Sequence, residues 1–153
     1  MAKYVAQNFG TQQNLTTTYV GSIVGLTGAN AAPRRFKIYD LLIGTDGVPA
    51  DNELEWLVSR VTTNSTATAF TPQPLDPADA AATTVATVNS STAGTTGAGM
   101  FYLGMNQRAS YRWVSAPGSE LVSPATSSAG FQVLARSIGY TGTATATVYF
   151  EEQ

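Results

Sequence analysis

The sequence predicts an all-β protein: an antiparallel β-sandwich, jelly-roll-like, of about eight strands. Three observations carry this. Apolar and polar residues alternate with a period of two over several runs, as they do on a strand with one buried face. Clusters of Gly, Pro, Asn and Asp punctuate those runs at turn spacing. Almost nothing reads as helix, and Pro72, Pro74 and Pro77 forbid one at 72–77.

At 153 residues and 43% apolar, the chain is long enough for one domain with a real core. Only 12% of residues are charged, about half the usual share. Thr, Ser, Ala and Gly fill the deficit, which suits hydroxyl-covered sheet faces packed against neighbours. The net charge of −2 gives no field that draws the chain to nucleic acid or to an anionic membrane. No run approaches the ~18 apolar residues of a membrane-spanning helix. Cys and His are both absent, which removes disulfides, thiol chemistry, the commonest general base and the commonest metal ligand.

In chain order, residues 1–14 read as an extended N-terminal arm with Tyr4, Val5 and Phe9 as anchors, and a first strand as the alternative. The start lacks the apolar core of a signal peptide, so the chain is expected to be made in the cytoplasm. The rest, 15–153, reads as one sandwich domain. Residues 15–26 alternate as a strand, and 28–33 form a loop. Residues 34–43 are a strand with Phe36, Ile38 and Leu42 on one face and Tyr39, Leu41 and Ile43 on the other. Turn chemistry follows at 44–49. Residues 53–61 alternate most clearly: Leu54, Trp56 and Val58 inward, Glu53, Glu55 and Ser59 outward.

Residues 62–99 read as a long irregular Pro/Thr/Ala-rich insertion. Within it Asp76 and Pro77 open at most one helical turn, 83–88 is a candidate strand, and 89–99 is a loop. Short strands return at 100–105, 130–138 and 143–150. The last two place Phe131, Val133 and Ala135, then Ala144, Ala146, Val148 and Phe150, inward.

The densest stretch is 106–124. Its alternation sets Tyr111 and Trp113 on one face and Arg108 and Arg112 side by side on the other. The Ala116-Pro117-Gly118-Ser119 turn then makes a hairpin-like unit with the run at 120–122. The arginine pair fits a carboxylate or a neighbouring subunit, against a plain reading as a solvated face paired with Glu120. Trp56, Tyr111 and Trp113 fit a sugar-stacking platform or, as inward positions, core. Asp51, Asn52, Glu53 and Glu55 offer oxygen ligands without the spacing of any Ca²⁺ loop. The acceptor patterns at Asn14, Asn64 and Asn89 arise by chance in so Thr/Ser-rich a chain. No nucleophile–base set, phosphate loop or cleft-bound carboxylate pair is evident. The chain reads as a non-enzyme with no cofactor and no metal.

One resemblance covers roughly 34–152. Tyr-Asp-Leu-Leu-Ile-Gly at 39–44, Pro-Ala-Asp-Asn at 49–52, Glu-Trp at 55–56 and Thr-Pro-Gln-Pro-Leu-Asp-Pro at 71–77 resemble small structural proteins of tailed bacteriophages. So do the run at 106–121 and the ending Thr-Val-Tyr-Phe-Glu-Glu. The resemblance implies a capsid decoration or cement protein on the virion exterior. It further implies a jelly-roll-like fold, often a homotrimer, with the major capsid protein as partner. Tyr4, Phe9, Arg34, Arg35, Arg108 and Arg112 are the residues expected to touch a subunit or the shell. A tail or fibre-base protein and a carbohydrate-binding adhesive module are the alternatives.

Overall fold

A computed structural model describes residues 1–9, 13–48, 50–137 and 140–153. Among them the chain is strand and loop without helix, in two antiparallel sheets that face each other across one core, a β-sandwich. No helix of the described residues is long and apolar enough to cross a membrane. The strands are β1 (Lys3–Gln7), β2 (Gln13–Asn14), β3 (Ser22–Thr27), β4 (Phe36–Asp46), β5 (Glu53–Val61), β6 (Thr66–Phe70) and β7 (Gln73–Pro74). They continue with β8 (Val85–Thr92), β9 (Thr96–Asn106), β10 (Tyr111–Val114), β11 (Leu121–Ser123), β12 (Gly130–Arg136) and β13 (Thr141–Glu152).

The first sheet runs β10-β4-β13-β1-β7, with β11 also on β4 and β2 also on β13. The second runs β6-β8-β3-β12-β5-β9. Alternation explains the core directly. Leu54, Trp56 and Val58 of β5 and Phe131, Val133 and Ala135 of β12 face Ala144, Ala146, Val148 and Phe150 of β13, all buried. Phe36 joins the layers: its ring lies 6.3 Å from Phe131 in the second sheet and 5.8 Å from Phe150 in its own. Edge-to-face contacts of this kind add to the burial of the rings.

Several expectations from the sequence do not hold. Residues 1–14 are not a free arm at their start. β1 pairs with β13 on one side and β7 on the other. Tyr4 is 2% exposed, stacks on Phe150 at 5.4 Å and donates its hydroxyl to the Ala80 carbonyl at 2.9 Å. Where β1 ends, the Asn8 side chain takes over the ladder. Its Nδ2 donates to the Ala144 carbonyl at 2.7 Å, and its Oδ1 accepts from the Ala146 amide at 3.0 Å. Residues 10–12 of the expected arm lie outside the described residues, as do Pro49 and 138–139 of the expected turns and strand end.

Half of the irregular insertion at 62–99 is strand. It contains β6, β7, β8 and the start of β9, and the expected loop at 89–99 narrows to a turn between β8 and β9. The candidate strand at 83–88 appears as β8, while Thr/Ala alternation hid β6, because Thr and Ala differ too little in polarity for a period to stand out. Asp76 does hold a single turn, accepting from the Ala78 amide at 2.9 Å, but no helix follows. The strand expected from residue 15 begins only at Ser22.

The faces of β4 change phase. Tyr149 pairs with Asp40 but Phe150 pairs with Ile38, so Tyr39 is an extra residue on β4. Phe36 and Ile38 face the core before this bulge, and Leu41 and Ile43 after it. Leu42 is turned outward, against the sequence expectation.

The hairpin-like unit at 106–124 is also not a hairpin. β10 pairs with Asp40–Ile43 and β11 with Phe36–Ile38, both antiparallel to the same β4. The two segments lie end to end along one edge, and the turn at Pro117-Gly118 loops out between them, with Gly118 at φ 85°.

Candidate functional site

Two surfaces stand out, and both involve β9. At one side of the sandwich the edge of each sheet comes together. Phe101 of β9 stacks on Tyr111 of β10 at 5.9 Å and meets Trp113 at 6.5 Å. Phe101, Leu103 and Met105 point inward as partly buried positions, while Met100 and Tyr102 are exposed. β9 has β5 on one side and no strand among the described residues on the other. It is 11 residues long, with no charged residue and no proline. Its outer rim therefore presents backbone donors and acceptors without the usual guards of an edge strand.

The second surface is the outer face of the second sheet, where β12, β5 and β9 run side by side. Register sets Arg136 opposite Glu55, Glu55 opposite Gly104, Leu57 opposite Tyr102 and Glu53 opposite Asn106. Arg136 and Glu55 form an ion pair through Nε and Oε2. The guanidinium lies 5.1 Å from the centre of the Tyr19 ring, and the Tyr19 hydroxyl donates to Glu55 Oε2 at 3.4 Å. The segment carrying Tyr19 is fastened across this face by the Ser137 amide, which donates to the Thr16 carbonyl at 3.0 Å.

A hollow of about 350 Å³ opens here, lined by Thr17, Asn52, Glu53, Glu55, Arg136 and Ser137. A neighbouring one of about 360 Å³ continues over Gly104 to Asn106. The Arg136 hydrogen bond holds the Glu55 carboxyl below its ordinary value, with Tyr102 and Tyr19 bonding it too. Burial pushes the Tyr19 hydroxyl up to about 12. Burial, followed by the bond to Glu55, raises Tyr102. Beneath the rim, buried Gln107 ties the turns together. Its Nε2 donates to Ser137 Oγ at 3.1 Å and its Oε1 accepts from the Ala50 amide at 3.0 Å.

The six residues expected at a contact are placed on separate elements. Tyr4 is core, so it offers no surface. Phe9 is exposed, and its ring lies 5.4 Å from Phe70 of β6. Arg34 and Arg35 are exposed just before β4. Arg108 and Arg112 do not share a strand face, because the strand starts only at Tyr111. Arg108 pairs with Asp51 at 2.9 Å, both exposed. Arg112 grips buried Asp40 with two bonds, Nη2 to Oδ2 at 2.6 Å and Nε to Oδ1 at 3.1 Å. Glu120, the partner expected from the sequence, instead accepts from the Gly118 amide at 3.2 Å.

Trp56 is fully buried and cannot stack a sugar; Trp113 is partly buried and Tyr111 is 39% exposed. Among the described residues no group of three or more Asp or Glu is placed to hold a metal ion. Sequence reasoning missed Tyr19, Tyr102, Gly104 and Arg136 as neighbours. Tyr19 lies in a loop, Tyr102 and Gly104 on β9 and Arg136 on β12, and only the β12-β5-β9 pairing brings them together.

Comparison with protein-family models, with curated proteins and with solved structures returns no match for this chain.

Proposed function

We propose that this chain is a non-enzymatic structural protein of a phage virion, a decoration or cement protein that binds the outside of the capsid and clamps neighbouring subunits. The observation that carries the reading is β9: an uncharged, proline-free edge strand of 11 residues whose outer rim pairs with no strand among the described residues. Such a rim takes an extended segment of a partner by strand addition, in which main-chain hydrogen bonds give affinity and side-chain pockets give register. The sparse charge, the Thr-rich outer faces and the resemblance to tailed-phage structural proteins support the same reading. In this reading the sandwich is a jelly roll, the partner is the major capsid protein, and a homotrimer sits on the shell. A cement protein stabilises by mass action, since it binds the assembled lattice and not the loose subunit.

The test is to add purified chain to capsids that lack it and image the particles by cryo-electron microscopy. Ordered density at threefold or quasi-threefold positions, with β9 against a capsid strand, is the expected result. Density on the tail alone would move the chain to a tail or fibre-base role. No density on either overturns the virion reading.

A further inference from the structure

We propose that the two adjoining hollows on the outer face of the second sheet, one lined by Glu53 and Arg136 and the other by Glu53 and Gly104, form a binding site for a neutral carbohydrate residue, with the neighbouring Tyr102 as its stacking face and Glu53 and Arg136 as its hydrogen-bonding groups. The inference does not depend on where the protein assembles.

The argument starts from the missing side chain. Tyr102, Gly104 and Asn106 share one face of β9, and glycine at the middle position leaves a ledge beside the tyrosine ring. A Cβ at 104 would meet only Glu53 Oε1, at 3.2 Å, so a carboxylate borders the ledge. Tyr102 is 59% exposed, which leaves its ring free to receive the C–H face of a sugar.

Charge then selects the ligand. Glu55 is held by Arg136, and Asp51 by Arg108. The Glu53 carboxylate has no ion-pair or hydrogen-bond partner among the described residues, although its backbone carbonyl accepts from Ser137 Oγ at 2.8 Å. An anion entering here would meet the Glu53 carboxylate. A metal ion would find one unpaired carboxylate, too few ligands to hold it. A neutral polyol satisfies both kinds of group. Its hydroxyls donate to Glu53 and accept from the guanidinium of Arg136, which carries donors beyond the one engaged by Glu55. An apolar ring face with a few converging polar groups is the general make-up of small-ligand sites. Tyr19 and Tyr102 both bond Glu55, which in turn holds Arg136, so the guanidinium is fixed in place before a ligand arrives.

The experiment is a heteronuclear NMR titration of the full chain with four neutral oligosaccharide probes, of glucose, mannose, galactose and N-acetylglucosamine, at millimolar concentrations. At least one probe is expected to give saturable shifts centred on Tyr102, Gly104 and the Arg136 side chain. Tyr102→Ala should weaken that binding about tenfold. Tyr102→Phe should retain it, and Gly104→Leu, which fills the ledge, should abolish it. The spectra of the variants report directly whether each remains folded. Absence of saturable shifts with all four probes, shifts centred elsewhere, or unchanged affinity in Tyr102→Ala and Gly104→Leu overturns the proposal.

Discussion

The two sheets end differently. The first closes its edges with short or broken pieces. β7 is two residues long and contains Pro74, while β10 and β11 share the β4 edge as segments of four and three residues split by a looped-out turn. The second ends on β6 and β9, five and 11 residues long, with no charge and no proline in either. Edge strands invite pairing with other chains, and proteins ordinarily blunt them with the devices seen in the first sheet. The contrast within one molecule separates a sheet whose edges are blunted from one whose outermost strands carry none of those devices. The first sheet holds the chain's two ends together, through β1 and β13. Among the described residues no further strand pairs with β6 or β9 at the rims of the second.

The largest effect should come from breaking the first sheet. Deleting residues 1–8 removes β1, with its buried Tyr4 and Ala6, and the Asn8 bridge to β13. Loss of the cooperative thermal transition in circular dichroism is expected; a folded, merely untethered protein would restore the free-arm view of this segment. Asn8→Ala is next. It orphans a buried carbonyl at Ala144 and an amide at Ala146, at a cost of about 1–3 kcal/mol per group left unsatisfied, read as a lower denaturant midpoint.

Sharpening the comparison requires a change that touches association and not folding. Met100→Lys places a charge on the exposed face of β9. Folding stability should shift by no more than about 0.5 kcal/mol, as for most surface substitutions, while under the proposed capsid role retention on capsids falls sharply in a co-sedimentation assay. Val114→Lys on β10, more exposed than Met100 but on a four-residue strand, should leave retention near the original level. Equal losses from both would erase the distinction between the sheets.

The smallest effects concern pH. Glu55 is depressed below its ordinary value of 4.5, chiefly by Arg136. Its contribution is present above that value and fades as pH falls through the folded one. The fall in melting temperature below pH 4.5 should therefore be shallower in Arg136→Gln. Tyr19 has the opposite sense. Its hydroxyl is raised from 10.0 to about 12, so stability is complete below pH 10 and declines toward 12. Tyr19→Phe should flatten that alkaline limb in a series of thermal melts.

Much of the fold was legible because a period of two is local information. It placed Leu54, Trp56 and Val58, Phe131 to Ala135 and Ala144 to Phe150 on core faces, and the structure agrees at each. The candidate site was legible only in fragments: Glu53 and Glu55 stood out as outward carboxylates, but nothing local links them to Gly104, Tyr102 or Arg136.

By itself the sequence determined the all-β class and the inward positions of unbroken strands, because side-chain alternation follows from backbone geometry alone. The tertiary structure decided the rest. It inserted Tyr39 as an extra residue and so reversed the faces of Leu41 to Ile43. It laid β10 and β11 along β4 rather than against each other, drew residues 3–7 into the first sheet, and made strands of the Thr/Ala-rich stretch. The physical reason is common to all four. A strand's partner and register are settled by hydrogen bonds and packing between residues far apart in the chain, and no local period encodes them.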